Sequence, residues 1–149
     1  MKVDQGMDYS IEKFEKHNDL RGQLVVFLKN SNLSASMKEF GQIYFVTFDG
    51  RGVVRGNHYH KRWREWFGVV SGKLSVELMD LSTGETVSLV LDGDSDDYIR
   101  LEIGPNIVHA FCSLTPMASL LNYTDTEWAP LDTFSYELTK TDEVVEFGI

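Results

Sequence analysis

Residues 52–72 read GVVRGNHYHKRWREWFGVVSG, with His58 and His60 two positions apart and Glu65 five positions further on. Side chains two apart on a strand point to the same face, so the two imidazoles aim together at whatever that face encloses. Glu65 lies an odd number of residues from His60, and one unbroken strand would turn it away. A reversal of the chain through residues 61–64 brings it back beside the histidines. Two histidines and a carboxylate meeting at one point suit a divalent metal, or a base with the partner that orients it.

Outward from this stretch the chain reads as short strands between turns. Residues 42–48 (QIYFVTF) alternate and are β-branched and aromatic, which predicts a strand, and Asp49-Gly50-Arg51-Gly52 predicts the turn before the next one at 53–60. Ser71-Gly72 separates strands expected at 66–70 and 73–79, and residues 81–85 (LSTGE) precede another at 86–91. A strand at 98–103 runs into Gly104-Pro105-Asn106, a turn that delivers His109. Residues 109–114 and 117–123 form a hairpin around Thr115-Pro116. Upstream, a first strand or arm is expected before residue 19. Asp19-Leu20-Arg21-Gly22 reads as a turn, and residues 23–28 (QLVVFL) as a buried strand. The tail adds 134–138 and 144–147. Short strands at even spacing, Gly- and Asx-rich turns and no long helix predict one all-β domain, a sandwich or barrel spanning 1–149.

Composition narrows the function. The 149 residues are 42% hydrophobic and 12% aromatic, enough for a proper core, and the net charge of −9 opposes a nucleic-acid partner. The longest wholly apolar run, residues 24–28, falls far short of the roughly 20 residues a membrane-spanning helix needs. Cys112 is the only cysteine, so no internal disulfide can form, and MKVDQGMDYS has no apolar signal core; a cytoplasmic location is expected. Arg51, Arg55, Lys61, Arg62 and Arg64 fall within 14 positions around the histidine pair with no acid among them, either as a solvated run or as a positive rim for an anionic small molecule. The acidic loop 92–97 (DGDSDD) lacks the spacing of an EF-hand. Trp63, Trp66 and Phe67 are expected in the core rather than stacked on a ligand. Cys112 is expected to be buried packing.

The pattern resembles a known family. Gly52, five residues, His58-Tyr59-His60, four residues, Glu65, six residues, Gly72 fits the first motif of the cupins without a mismatch. Gly104-Pro105-Asn106 stands where the second motif carries a Pro-x-Gly turn, with His109 at the matching distance. Ser113 replaces that motif's asparagine. Within the cupins, residues 19–28 (DLRGQLVVFL) and Val54-Arg55-Gly56-Asn57-His58-Tyr59-His60-Lys61 are similar to dTDP-4-keto-6-deoxyglucose 3,4-ketoisomerases. His109-Ala110-Phe111 and Asn122-Tyr123-Thr124-Asp125 resemble dTDP-4-dehydrorhamnose 3,5-epimerases.

The resemblance implies a cupin-type double-stranded β-helix (jelly roll), an isomerase or epimerase of a nucleotide sugar, and a homodimer whose N-terminal arm, about residues 1–22, is exchanged between subunits. It implies catalytic roles for His58, His60 and Tyr44, and substrate contacts from Arg21, Arg55, Asn57, Lys61 and His109. No cofactor is required. The four-residue gap before Glu65 is closer to metal-binding cupins, in which His58, His60, Glu65 and His109 would hold a divalent Zn, Fe, Mn or Ni. A metal-dependent cupin enzyme of another class, a dioxygenase or small-acid isomerase, and a non-catalytic sugar-binding cupin stay open beside the first reading.

Overall fold

The computed structural model describes residues 6–20, 22–33 and 40–140. Twelve strands occupy these segments: β1 (Tyr9–Glu15), β2 (His17–Asp19), β3 (Gly22–Leu24), β4 (Gln42–Phe48), β5 (Val54–Tyr59), β6 (Glu65–Ser71), β7 (Lys73–Asp80), β8 (Thr86–Asp92), β9 (Asp97–Ile103), β10 (Ile107–Ser113), β11 (Ala118–Thr124) and β12 (Phe134–Ser135). They form two five-stranded antiparallel sheets, β1-β9-β6-β11-β4 and β12-β5-β10-β7-β8, with β2 and β3 as a separate hairpin. Consecutive strands such as β5 and β6, or β9 and β10, lie in opposite sheets, which is the jelly-roll plan of a cupin.

Period-2 patterning sets the inner faces. Leu74, Val76 and Leu78 of β7 are fully buried between the sheets, as is Phe48 of β4. They pack with Phe67, Leu101, Phe111 and Leu120 in one core cluster. On β4 the alternate side chains, Ile43 and Phe45, face outward and are 57% and 75% exposed. The turns behave as their residues predict. Gly72 sits at φ +77, and a Cβ there would run into the backbone oxygen of Met117. Asn106 takes φ +62 in the turn that precedes His109, and its N–H donates to the carbonyl of His60 at 2.7 Å. The second motif thereby ties itself to the first.

Two expectations need correction. Residues 23–28 are not a buried strand: β3 stops at Leu24, pairs only with β2, and is exposed throughout. The chain then runs on without strand pairing, held where the buried Arg100 guanidinium donates to the carbonyl of Phe27 at 2.7 Å. The strand expected at 134–138 shrinks to β12, because Leu138 and Thr139 give their backbone groups to the side chain of Asn57. β1 pairs along its whole length with β9 of the same chain. The strand expected at 144–147 lies outside the described residues.

Candidate active site

β5 and β10 lie side by side, with His58 directly opposite His109. A bulge after His109 breaks the register, and Gly56 makes room for it: at φ +92, a Cβ on Gly56 would sit 2.7 Å from the His109 carbonyl. The chain leaves β5 at His60, turns through residues 61–64, and re-enters the other sheet at Glu65, the first residue of β6. The reversal expected from the sequence therefore carries the carboxylate back. Glu65 Oε1 lies 3.8 Å from His60 Nε2, and Oε2 lies 3.3 Å from His109 Nε2. The ring centroids of His58 are 4.9 Å from His60 and 4.7 Å from His109.

The protonation pattern follows from the backbone. His60 Nδ1 is 2.9 Å from the carbonyl of Asp132, and His109 Nδ1 is 3.0 Å from that of Ile107. A carbonyl only accepts, so each Nδ1 carries the proton and each Nε2 presents a lone pair. Two lone pairs thus face the Glu65 carboxyl. Burial pushes that carboxyl up to about 8; the nearby Trp63 indole eases this, and the charge of Asp125 adds to it. Among the described residues no well-formed hydrogen bond completes the arrangement: Trp63 Nε1 and Glu65 Oε2 are both buried and neither meets a partner there in good geometry. A proton on Glu65 or a cation among the four side chains would resolve the conflict.

The imidazoles themselves are kept neutral. Burial first, then the neighbouring His60, lowers His58 to about 4. Burial also lowers His60, against the pull of the Asp132 carbonyl, and lowers His109 well below the usual histidine range. His58 and His109 share a narrow cavity with Tyr44, Arg55, Phe67 and Leu120, among others. Burial, with a smaller contribution from Glu65, holds the Tyr44 phenol far above its ordinary value, so it keeps its proton as a donor. Arg55 is held at the cavity by a 3.1 Å bond from Nε to the carbonyl of Thr47.

The other sequence candidates lie elsewhere. Lys61 is exposed, with Nζ over the Phe134 ring at 4.4 Å, outside the cavity. Asn57, at φ +55, spends its side chain on the backbone of residues 138 and 139. Arg21 lies outside the described residues. The basic cluster also disperses: Arg51 bonds the carbonyl of Leu114, and Arg64 pairs with Asp8 at 2.6 Å. Arg55 alone of the five lines the cavity. Trp63, Trp66 and Phe67 are core residues as expected, although Trp63 also stacks on His60 at 4.0 Å and Phe67 lines the cavity. Cys112 is only half-buried.

Asp132 was not legible beforehand. It is buried, 72 positions from His60, and no spacing links the two. The only signal was the segment WAPLDTF, which marks a packed tail without saying what it packs on.

Comparison with known proteins follows the same line. A family profile described as polysaccharide biosynthesis C-terminal domain matches residues 17–120. A TDP-4-oxo-6-deoxy-alpha-D-glucose-3,4-oxoisomerase of Aneurinibacillus thermoaerophilus is 29% identical over 104 residues, which is 69% of this chain and 68% of that one. Among solved structures, a mutant 3,4-ketoisomerase of Thermoanaerobacterium thermosaccharolyticum, in complex with TDP-4-keto-6-deoxyglucose, superposes with a TM-score of 0.70 at 20% identity, covering 85% of this chain and 86% of that one. A dTDP-6-deoxy-D-glucose-3,5-epimerase of Legionella pneumophila, in complex with dTDP-4-keto-L-rhamnose, gives 0.74 at 22% identity, over 85% and 71%. With a jelly-roll fold, the cupin histidines gathered at one end of β5 and β10, and a profile match over most of its length, the chain belongs to the polysaccharide biosynthesis C-terminal domain family.

Proposed function

We propose that this protein isomerises a dTDP-linked 4-keto-6-deoxyhexose by moving a proton from C3 to C4 through an enediolate. One observation carries the proposal: His58, held neutral by burial, faces a cavity it shares with a protonated tyrosine and an arginine. The names of the matched relative and of the superposed ketoisomerase favour this substrate class.

The C3 proton of a 4-keto sugar is acidic because its removal gives an enolate. In this account the bare nitrogen of His58 takes that proton, which breaks the C3–H bond and leaves the electron pair on O4. Tyr44 donates to O4 as charge develops there; such a preorganised donor is worth most in a dry site. O4 takes up a proton, the 3-hydroxyl gives one up, and the proton returns to C4, with His60 as the partner His58 needs for the return. The product is the 3-keto isomer. Arg55 offsets the charge of the enediolate or of the diphosphate, and His109 closes the cavity beneath the sugar. Incubating purified protein with dTDP-4-keto-6-deoxyglucose and following the sugar by proton NMR tests this: appearance of the 3-keto isomer supports it. Inversion at C3 or C5 without carbonyl movement would reassign the protein as an epimerase.

A second reading has its own observation. His58, His60 and His109 offer ligand atoms within 4.8 Å of one another, and the Glu65 carboxyl lies beside two of them, with Oε2 3.3 Å from His109 Nε2. Zinc–nitrogen bonds of 2.0–2.1 Å put tetrahedral ligands about 3.4 Å apart, so closure of at most about 1.4 Å would seat an ion. The carbonyls on His60 Nδ1 and His109 Nδ1 are the outer partners that metal-bound histidines ordinarily have. A divalent ion there, once bound, would polarise the keto oxygen. Metal analysis of the purified protein, and assay after chelation, separates the two readings.

A homodimer is part of the proposal. The exposed Ile43 and Phe45 lie on β4, the edge strand of one sheet among the described residues, and such a strand invites a second copy. Light scattering measures it. Exchange of the N-terminal arm within that dimer, which would move β1 from its own β9 to the partner's, and a cytoplasmic location, are proposed with it.

A further inference from the structure

The C-terminal segment of the described chain supplies no reacting group to the chemistry above, yet it is tied to the site at several points. β12 adds to the edge of β5, with Ser135 opposite His58 and Phe134 opposite Tyr59. The Phe134 ring stacks on Tyr59 at 5.3 Å. Just before it, Pro130–Asp132 forms a single 3-10 turn that buries the Asp132 side chain. That carboxylate accepts from the backbone N–H of Lys61 and of Arg62, both at 3.1 Å, one on each oxygen. The carbonyl of the same residue accepts from His60 Nδ1 at 2.9 Å.

One residue therefore grips His60 twice. Its carboxylate fixes the two peptides that follow His60, and its carbonyl fixes the ring. The Trp63 indole stacks on a face of the same ring, so the ring cannot swing about its own bond without losing one contact or the other. We propose that Asp132 is a positioning residue for His60, holding the ring in the tautomer and orientation that turn bare Nε2 toward Glu65 and His58. The effect on turnover rests on the isomerase reading above; the effect on the ring does not.

The logic is that of an outer partner orienting an inner group. A neutral imidazole chooses which nitrogen to protonate by the acceptor the protein offers, and here the acceptor is a backbone oxygen that stays in place only while the carboxylate is docked. Removing the carboxylate leaves two amides without their acceptor and releases the turn that carries the carbonyl.

The test uses Asp132→Ala in the purified protein, with two readouts. Long-range proton–nitrogen NMR of the substrate-free protein reports the His60 tautomer: the wild type is expected to show Nδ1 protonated, and the variant a mixture or the Nε2-protonated form. Steady-state kinetics with dTDP-4-keto-6-deoxyglucose are expected to show kcat falling about 10- to 100-fold with KM within about twofold, the range for lost outer-shell partners. Asp132→Asn keeps one acceptor oxygen and should restore part of both signals; it also carries the test should the alanine variant not fold. An unchanged tautomer in the variants overturns the proposal. So does a kcat equal to wild type. If the wild type itself proves inactive on this sugar, the isomerase reading fails, while the tautomer measurement still decides the role of Asp132.

Discussion

Replacing Glu65 by glutamine should stabilise the metal-free protein at neutral and alkaline pH. Glu65 is 3% exposed and holds its proton to about pH 8 when folded, against 4.5 when unfolded. Between those values unfolding releases a proton, so the contribution of this residue is intact below pH 4.5 and is lost progressively as the pH rises towards 8. At 1.36 kcal/mol per pH unit the loss reaches about 3 kcal/mol at pH 7 and about 5 kcal/mol above pH 8. Glutamine has the same shape without the titration, and its amide can donate to the bare Nε2 of His109. The histidines titrate in both proteins, so the difference between variant and wild type isolates Glu65. Urea unfolding of chelated protein at pH 4, 7 and 8.5 should give a difference near zero, then about 3, then about 5 kcal/mol in favour of Glu65→Gln. Around pH 7 this corresponds to roughly 6–12 °C in Tm. A flat difference across pH, or a variant less stable at pH 8.5, would refute the picture of a protonated carboxyl facing two lone pairs. Adding zinc extends the test: if the second reading holds, the wild type gains stability and the variant gains little.

Other consequences are more local. Because burial and His60 lower His58 to about 4, and the base must be neutral, the acid limb of the kcat/KM profile should fall well below pH 6.5; a limb at or above 6.5 would contradict the burial argument. Tyr44→Phe should lower kcat about 100- to 1000-fold with little change in KM, the cost of removing a donor to a developing oxyanion, measured by steady-state turnover. Asn57→Gly keeps the φ of +55 but frees residues 138 and 139, so denaturant unfolding should show a loss of about 1–3 kcal/mol. The KM of that variant should stay unchanged, whereas a large rise would return Asn57 to the substrate.

The sequence was most legible where chemistry and local geometry coincide. The His58–His60 spacing, the odd offset of Glu65 and the turn through residues 61–64 together place three of the four central side chains. The turn at Asn106 delivered the fourth. Strand existence was readable from alternation, down to the bounds of β4. Residues 23–28 misled because an apolar run signals burial without saying what pairs with it; here the preceding turn spends the segment on an exposed hairpin. The basic cluster could be read two ways because neighbours in sequence on a strand and turn diverge in space: Arg51 and Arg64 find partners away from the cavity, while Arg55 lines it. The resemblance implied a substrate contact for Asn57, whereas its side chain bonds the backbone of residues 138 and 139. Asp132 was invisible because its bond to His60 spans 72 residues, and contacts of that range leave no local pattern.

The most direct test of the central claim is solvent exchange: the wild type and His58→Asn, each with dTDP-4-keto-6-deoxyglucose in D2O, followed by proton NMR of the sugar. Loss of the C3 proton signal is expected with the wild type, at least as fast as any new isomer forms, and no exchange above background with His58→Asn. Exchange that persists in the variant would remove His58 from the role of base, and a wild type that neither exchanges the C3 proton nor forms a new isomer would contradict enolisation of this sugar altogether.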